Sequence, residues 1–546
     1  MKNPVHACVL ATLALSGAAV AAPLTHVASA NTKAAGLVQP NVVSPELDLR
    51  LVATGSMKLD GAGAMTQYYG YVAPGAIAAM VPAIGAANPP ATALVEAGKS
   101  EPDKNTYLVF DPSRGAQQQA GADANYDYGT HFVFQGHEAG DHGYITRINL
   151  DADGAHRVTL LADSLADGTV IPNIDGSTWD PFNARLLLTG EESAFTGVTS
   201  GVVLQSTVGY PASVERLDGV FGVAGWEGVQ VDSAGNVWLV SDQGGSTSTT
   251  LAKARQPNSF VYRFIPANPA DLKQGGRLQA LQVMNLAGTA PIVFHAGQVD
   301  ADVGSQDVKD LHTYGNRFRT RWVTVHDTAT QGFVPFDAGQ AAKDTLATPF
   351  KRPENGVFRP LDDNRFGEFY FTETGDTNAA SWANNGYGGY GGVFRIVQQG
   401  PNAAGGTLEP VFIGDQAHTG LDNIQFFNSR QLLVVEDAGD TLHGQRAKLD
   451  SGYLLDLAVD YSNAAIQPLR FLAEGRDASA TLDAHAPGLN FNGDNEITGI
   501  HVSNGDPSAR GLLGARIPTP FRDGWRVFWT QQHGDNNTWE IVPASR

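Results

Sequence analysis

GWEGVQVDSAGNVWLVSDQGG, Gly225 to Gly245, reads as two short strands, GVQV and NVWLVS, folded around an Asp-Ser-Ala-Gly turn, the pattern of a β-hairpin. Carboxylates mark its open ends. Glu227 precedes the first strand and Asp242 follows the second, 15 positions apart (242 − 227). A hairpin returns the chain to its starting point, so the two acids are expected close in space. DNIQFFNSRQLLVVED repeats the plan with Asp422 and Asp437, again 15 apart (437 − 422). STWDPFNARLLLTGEE is a weaker third copy, with Ser177 and Glu192 at the same offset (192 − 177). Successive hairpins with acids at the same end point to one shared acidic site that draws cations.

The wider sequence is compatible with that plan. With 546 residues, 42% of them hydrophobic and 17% charged, the chain can bury a large core, and all-β architectures of this size can form a single unit. Its 62 glycines fit many turns better than long helices. A net charge of −20 argues against nucleic acid, whose phosphates need a basic face. The acidic surplus can solvate the surface or supply the oxygen ligands that hard cations such as calcium require.

Met1 to Ala21 has the layout of a secretory signal: Lys2, the apolar run CVLATLALSGAAV, then Ala19-Val20-Ala21 for cleavage. No Arg-Arg pair precedes the apolar run, which favours the general export route. A periplasmic or secreted protein is expected. No later segment has the uncharged apolar length of a membrane span. The only cysteine, Cys8, lies in the signal, so the mature chain is expected to have neither disulfide nor thiolate ligand.

After an N-terminal arm over about residues 22–46, apolar alternation begins near Leu47 and continues in TYLVFDP around Tyr107. The best helix candidate lies between Pro74 and Gly98. From His131 onward short strands dominate, among them THFVFQG, RLLLTG, NSFVYRFIP, GEFYFTETGD, QLLVVEDAG and WRVFWTQQ. Ala267 to Gln298 and Val502 to Gly524 read as loop-rich insertions. The fold expected is all-β, a β-propeller in one domain over residues 22–546 with loop insertions and minor helix.

Phosphate-cradling glycine loops are absent. His137-Glu138 and His142 superficially resemble a metalloprotease helix, but the histidines are five apart and Gly136, Gly140 and Gly143 interrupt it. Ligands at the end of the strand HFVFQG, or a plain turn, remain the two readings. Glu191-Glu192 end RLLLTG, either as turn acids or as part of the hairpin plan. KRPE places Arg352 and Glu354 on either side of Pro353, as a surface ion pair or a site.

Taken as an ordered set, these motifs resemble the PhoX-type alkaline phosphatase family. They run FQGHE (Phe134–Glu138), Gly176–Glu192, GWEGV (Gly225–Val229) with Asp242, RPE (Arg352–Glu354), LDNI with VED (Leu421–Ile424, Val435–Asp437), EITG (Glu496–Gly499) and QHG (Gln532–Gly534). The resemblance covers roughly Phe132 to Asn536. It implies a six-bladed propeller that hydrolyses phosphate monoesters at a centre of calcium and iron, or another transition metal. By this resemblance Glu138, Glu191, Glu192, Glu227, Asp242, Glu354, Asp422, Asp437 and Glu496 are metal-ligand candidates. Where the family has a metal-bridging cysteine this chain has Ile174 and Asp175, which adds Asp175. Arg352 is implied as a phosphate clamp, its planar fork matching phosphate oxygens, and Glu354 acts beside it in catalysis. Asn423 and His533 are further substrate-binding candidates. The partner implied is a small phosphate ester, bound by a monomer. Two alternatives stand beside this reading. One is a calcium-stabilised propeller that binds without catalysis; the other is a calcium-dependent lactonase-like hydrolase, which has less use for Arg352.

Overall fold

The computed structural model describes all residues except 1–22, 34–39, 56, 64–65, 73–99, 139–142, 191–200, 476–494, 533–535 and 546. The signal-like segment and the helix expected between Pro74 and Gly98 fall outside the described residues.

The opening hairpin forms as read: Trp226–Val231 pairs antiparallel with Val237–Ser241. Asp232 accepts at its side chain from the amides of Ala234 and Asn236 (2.8 and 3.0 Å), and Gly235 takes the positive φ of 78° that the turn requires. Two more antiparallel strands, Val261–Pro266 and Gly276–Val283, complete a four-stranded blade.

Six such blades follow one another. Blade one is Glu101–Val109, His131–Glu138, Tyr144–Asn149 and Val158–Ala162; blade two is Ser177–Asp180, Arg185–Thr189, Val203–Ser206 and Val214–Arg216. The hairpin above opens blade three. Blade four is Pro353–Phe358, Glu368–Glu373, Gly392–Val397 and Gly405–Ile413; blade five is Leu421–Phe426, Gln431–Glu436, Ser451–Asp456 and Leu469–Ala473. Blade six combines Glu496–Ser503, Arg526–Gln532 and Thr538–Pro543 with Leu47–Ala53 from the other end of the chain. The innermost strands neighbour one another around a closed ring, with blade six against blade one. The molecule is therefore a six-bladed β-propeller, closed by the first and last strands of one mixed blade.

Both faces of each blade are covered, which explains runs such as RLLLT and QLLVVE, apolar with little alternation and buried almost throughout. The core lies in the layers between blades. Leu108, Phe132 and Ile145 of blade one pack with Leu186, Leu188 and Leu204 of blade two, and Trp238 of blade three meets Phe358 and Phe369 of blade four. Close approach at the ring needs glycine at one point in particular. A Cβ on Gly228 would lie 2.7 Å from the Asn355 Cα in the next blade.

Three expectations are corrected. Ala267 to Gln298 is not simply an inserted loop, because Gly276–Val283 within it is the outer strand of blade three. A further strand, Phe318–Asp327, then bridges blades three and four by pairing with Gly276–Val283 and Gly405–Ile413. The arm ends in structure: Val42–Val43 adds a fifth strand to blade five. The third hairpin copy is out of frame by two, since Ser177 pairs with Leu188 inside the sheet and its hydroxyl meets that of Thr106 (2.7 Å). The strand-end position of blade two belongs to Asp175.

Candidate active site

Each innermost strand brings a carboxylate to the same end of the ring: Asp103, Asp175, Glu227, Glu354, Asp422 and Glu496, one per blade. With Glu138 and Asp437, from the ends of second strands, these eight acids line a single cavity of about 250 Å³ together with Arg352, Thr374, Thr377 and Gln532.

Local backbone geometry aims them there. In five blades the pairing of the first two strands shifts register beside the carboxylate, between Pro102 and Asn105, Trp226 and Val229, Pro353 and Gly356, Leu421 and Ile424, and Ile497 and Gly499. A bulge turns a side chain out of the pleat, and here it turns the acid into the mouth of the channel. The equal offsets read from the sequence correspond to equal closures. The Asp242 amide donates to the Gly225 carbonyl and the Asp437 amide to the Gly420 carbonyl, both at 2.7 Å. Thr189 and Thr372, each from the preceding blade, donate to the backbone carbonyls of Glu227 and Asp422. Neighbouring blades thus lock the acid-bearing strands in place.

On one side of the cavity Glu227, Asp242 and Glu354 offer oxygens within 4.8 Å of one another. Arg352 donates to Asp242 Oδ2 through Nε at 2.7 Å and approaches it through Nη2 at 2.6 Å; its Nη2 lies 3.8 Å from Glu354. Asp242 Oδ1 is buried without a hydrogen-bond partner. Arg352 has a positive φ of 61°, costly for a side chain of this size. It is held in that conformation from both sides. Lys351 is anchored by Asp376 (2.8 Å) and the Arg255 carbonyl (2.9 Å), and the Arg352 carbonyl accepts from the Thr374 amide (2.9 Å).

Elsewhere in the cavity lining, Asp103 accepts from the amide of Lys104 (2.6 Å) and from Gln532 Nε2 (3.0 Å). Asp422 accepts from Asn355 (3.2 Å) and Asn423 (3.0 Å). Burial first, and then the neighbouring carboxylates, push Asp103 well above the usual carboxylate range. Burial and Asp175 raise Asp422 to about 7. Acids crowded in this way ionise together only when a cation joins them. The donor set fits one: the orphaned oxygen of Asp242, the crowded carboxylates and the lack of sulfur or imidazole among the described lining residues suit a hard, oxygen-seeking metal.

Of the residues singled out in the sequence, Glu138, Asp175, Glu227, Arg352, Glu354, Asp422, Asp437 and Glu496 meet at this cavity, with Asp242 directly behind Arg352. Glu191, Glu192, His142 and His533 lie outside the described residues. Two expectations change. Asn423 does not face substrate: it is fully buried and its amide group links Asp422 to the Thr498 carbonyl (2.7 Å). His137 is not a strand-end ligand either. Strand alternation turns it inward, where it stacks on Tyr144 at 4.1 Å and meets the Thr146 hydroxyl at 2.8 Å, while its neighbour Glu138 reaches the cavity. The sequence reading missed Asp103, Thr374 and Thr377. Among the described residues no helix is long and apolar enough to cross a membrane.

The sequence profile of the family described as alkaline phosphatase PhoX matches residues 252–503. A search of curated proteins found no match. Among solved structures, similarity extends to Pseudomonas fluorescens PhoX in complex with vanadate, a transition state analogue, at 11% identity over 95% of this chain and 98% of that chain, TM-score 0.49. The PQQ domain of pyranose dehydrogenase from Coprinopsis cinerea is similar at 10% identity over 93% and 98% of the two chains, TM-score 0.30. A putative gluconolactonase is similar at 12% identity over 68% and 89%, TM-score 0.24.

Proposed function

We propose that the chain, whose residues 252–503 match the alkaline phosphatase PhoX family model, is an exported, metal-dependent phosphoesterase of that kind. Its substrates are small phosphate monoesters and its metals are calcium with iron or another transition metal. The observation that carries this reading is the cavity itself, with eight carboxylates and one arginine at the mouth of the channel. An anionic phosphate would be repelled by that wall unless cations lay between.

Glu227, Asp242 and Glu354 would hold one cation, and Asp103, Asp175, Asp422, Glu138, Asp437 and Glu496 are the remaining acid donors of the cavity. Bound there, hard cations neutralise phosphate charge, activate a water and stabilise the charged transition state. Arg352 supplies the protein's own positive charge. Asp242 fixes its guanidinium at the cavity wall, so little ordering remains to be done when a phosphate arrives. Lys351 and Thr374 keep its backbone in place, and Pro353 ties its position to that of Glu354. Thr374 and Thr377 line the wall as hydroxyl groups able to hydrogen-bond phosphate oxygens. Asp175, standing where the family has its cysteine, replaces a soft ligand by a hard one and shifts the preference towards calcium-like ions.

The test is the rate of phosphate release from a generic monoester and a generic diester, with the metal content of the same exported sample. Faster monoester cleavage accompanied by bound calcium supports the reading. Preference for the diester would move the substrate class, and cleavage of neither would leave a calcium-stabilised binding propeller.

A further inference from the structure

Two basic residues accompany the cavity acids. Glu227, Asp242 and Glu354 share Arg352. Asp103, Asp175 and Asp422 share Lys104, which follows Asp103 on the innermost strand of blade one and is fully buried. A buried ammonium is costly unless it is paired. The hydrogen bond Lys104 makes through Nζ runs to a neutral group, Asn355 Oδ1 at 2.8 Å. Asn355 passes the link on, donating through Nδ2 to Asp422 Oδ1 at 3.2 Å, and the Lys104 amide holds Asp103 Oδ1 at 2.6 Å. Burial lowers the Lys104 ammonium to about 8, and the charges of Asp422, Asp175 and Asp103, all of which line the cavity, act against that lowering. The other titratable group in its field is His501, buried deeper in the channel. Lys104 therefore compensates a group of cavity acids while its ammonium is bonded to the neutral Asn355.

We propose that Lys104 is a resident counter-ion of the cavity acids Asp103, Asp422 and Asp175, a positioning residue that lets these acids fold together before metal arrives and then competes with the cation they bind. The inference rests on the reading of the cavity as a metal centre. Before metal binds, one fixed positive charge offsets the mutual repulsion of these acids. Its removal has opposite effects on the two states. The metal-free protein loses its counter-ion, whereas a divalent cation loses a competitor.

The test is Lys104→Met, which keeps the length of the side chain and removes its charge. Melting temperature is measured in chelator and in saturating calcium, and calcium affinity is measured on metal-stripped protein. The variant should melt lower than wild type in chelator, recover most of the difference in calcium, and bind calcium about tenfold more tightly, the scale of one unit charge acting over a few ångströms in a partly screened site. A variant that folds only when calcium is present supports the proposal. Equal losses in chelator and in calcium with unchanged calcium affinity would make Lys104 a packing residue and overturn it, as would failure to fold in either condition. Absence of calcium binding by wild type would instead refute the metal-centre reading, and the inference with it.

Discussion

On the proposed reading calcium and protons compete for Asp422, so the stabilisation that calcium would bring depends on pH. Burial and the Asp175 charge raise the Asp422 carboxyl to about 7, against an ordinary value near 3.8. The sign follows from linkage. In metal-free protein a raised folded pKa means stability that is full below about pH 4 and is lost as pH rises through 7. In the calcium-loaded protein the carboxylate is already ionised, so below pH 7 the cation must displace a proton. Asp422 alone makes the calcium gain grow by about 1.4 kcal/mol per pH unit, or roughly 3 kcal/mol between pH 5 and pH 7. Unfolding entropy of about 2.1 cal/mol/K per residue gives a chain of 546 residues close to 1 kcal/mol per degree. At fixed free calcium, the calcium-induced rise in Tm should therefore be about 3 °C larger at pH 7 than at pH 5. Asp103, raised in the same direction, enlarges the difference. His137 and His501, held below their ordinary range by burial, act on both forms alike and cancel. Calorimetry with and without calcium at the two pH values measures the effect. A calcium gain that is equal at both pH values, or larger at pH 5, would refute the argument.

Three substitutions separate the roles of individual residues. Arg352→Lys keeps a positive charge but loses the fork that grips Asp242 and faces the cavity; kcat/KM for a phosphomonoester should fall on the order of 100-fold, with metal content by elemental analysis unchanged. Glu354→Gln removes a charged oxygen from the cluster with Glu227 and Asp242, and metal content should fall together with activity. Gly228→Ala forces a Cβ against the Asn355 backbone at 2.7 Å. It should destabilise the junction of blades three and four by about 1–3 kcal/mol in denaturant unfolding, without removing any cavity acid.

The acids found by sequence reading are those whose hairpins have short turns. Glu227 with Asp242 and Asp422 with Asp437 keep their offset of 15 because each turn between first and second strand is only a few residues long. Blades one, four and six break the count. Residues 110–130 intervene between the strand bearing Asp103 and the one ending at Glu138, 359–367 follow the strand bearing Glu354, and 504–525 follow the strand that begins at Glu496. Glu354 and Glu496 were reachable through the RPE and EITG motifs. Asp103 had no such handle, since EPDKN has too many polar residues to read as a strand. Its polarity has a physical cause: the strand faces the cavity with Asp103 and buries Lys104 against Asn355 in the channel wall. Ser177 misled for the opposite reason, because a correct spacing to Glu192 coincided with a position inside the sheet. A propeller was legible in kind from the density of short apolar strands, and its six blades only from the family resemblance. The closing strand Leu47–Ala53 was visible as an element, but its partnership with Thr538–Pro543 is a long-range pairing that no local pattern encodes.

The most direct test of the whole account is phosphate release from a generic phosphomonoester by exported wild-type protein, before and after chelation and again after calcium is restored, with metal content measured in each sample. The account predicts activity with bound metal, loss of both on chelation, and return of activity with calcium, together with a trace of transition metal if the centre also needs one. Full activity in metal-free protein, or no activity in protein that binds calcium, would contradict it.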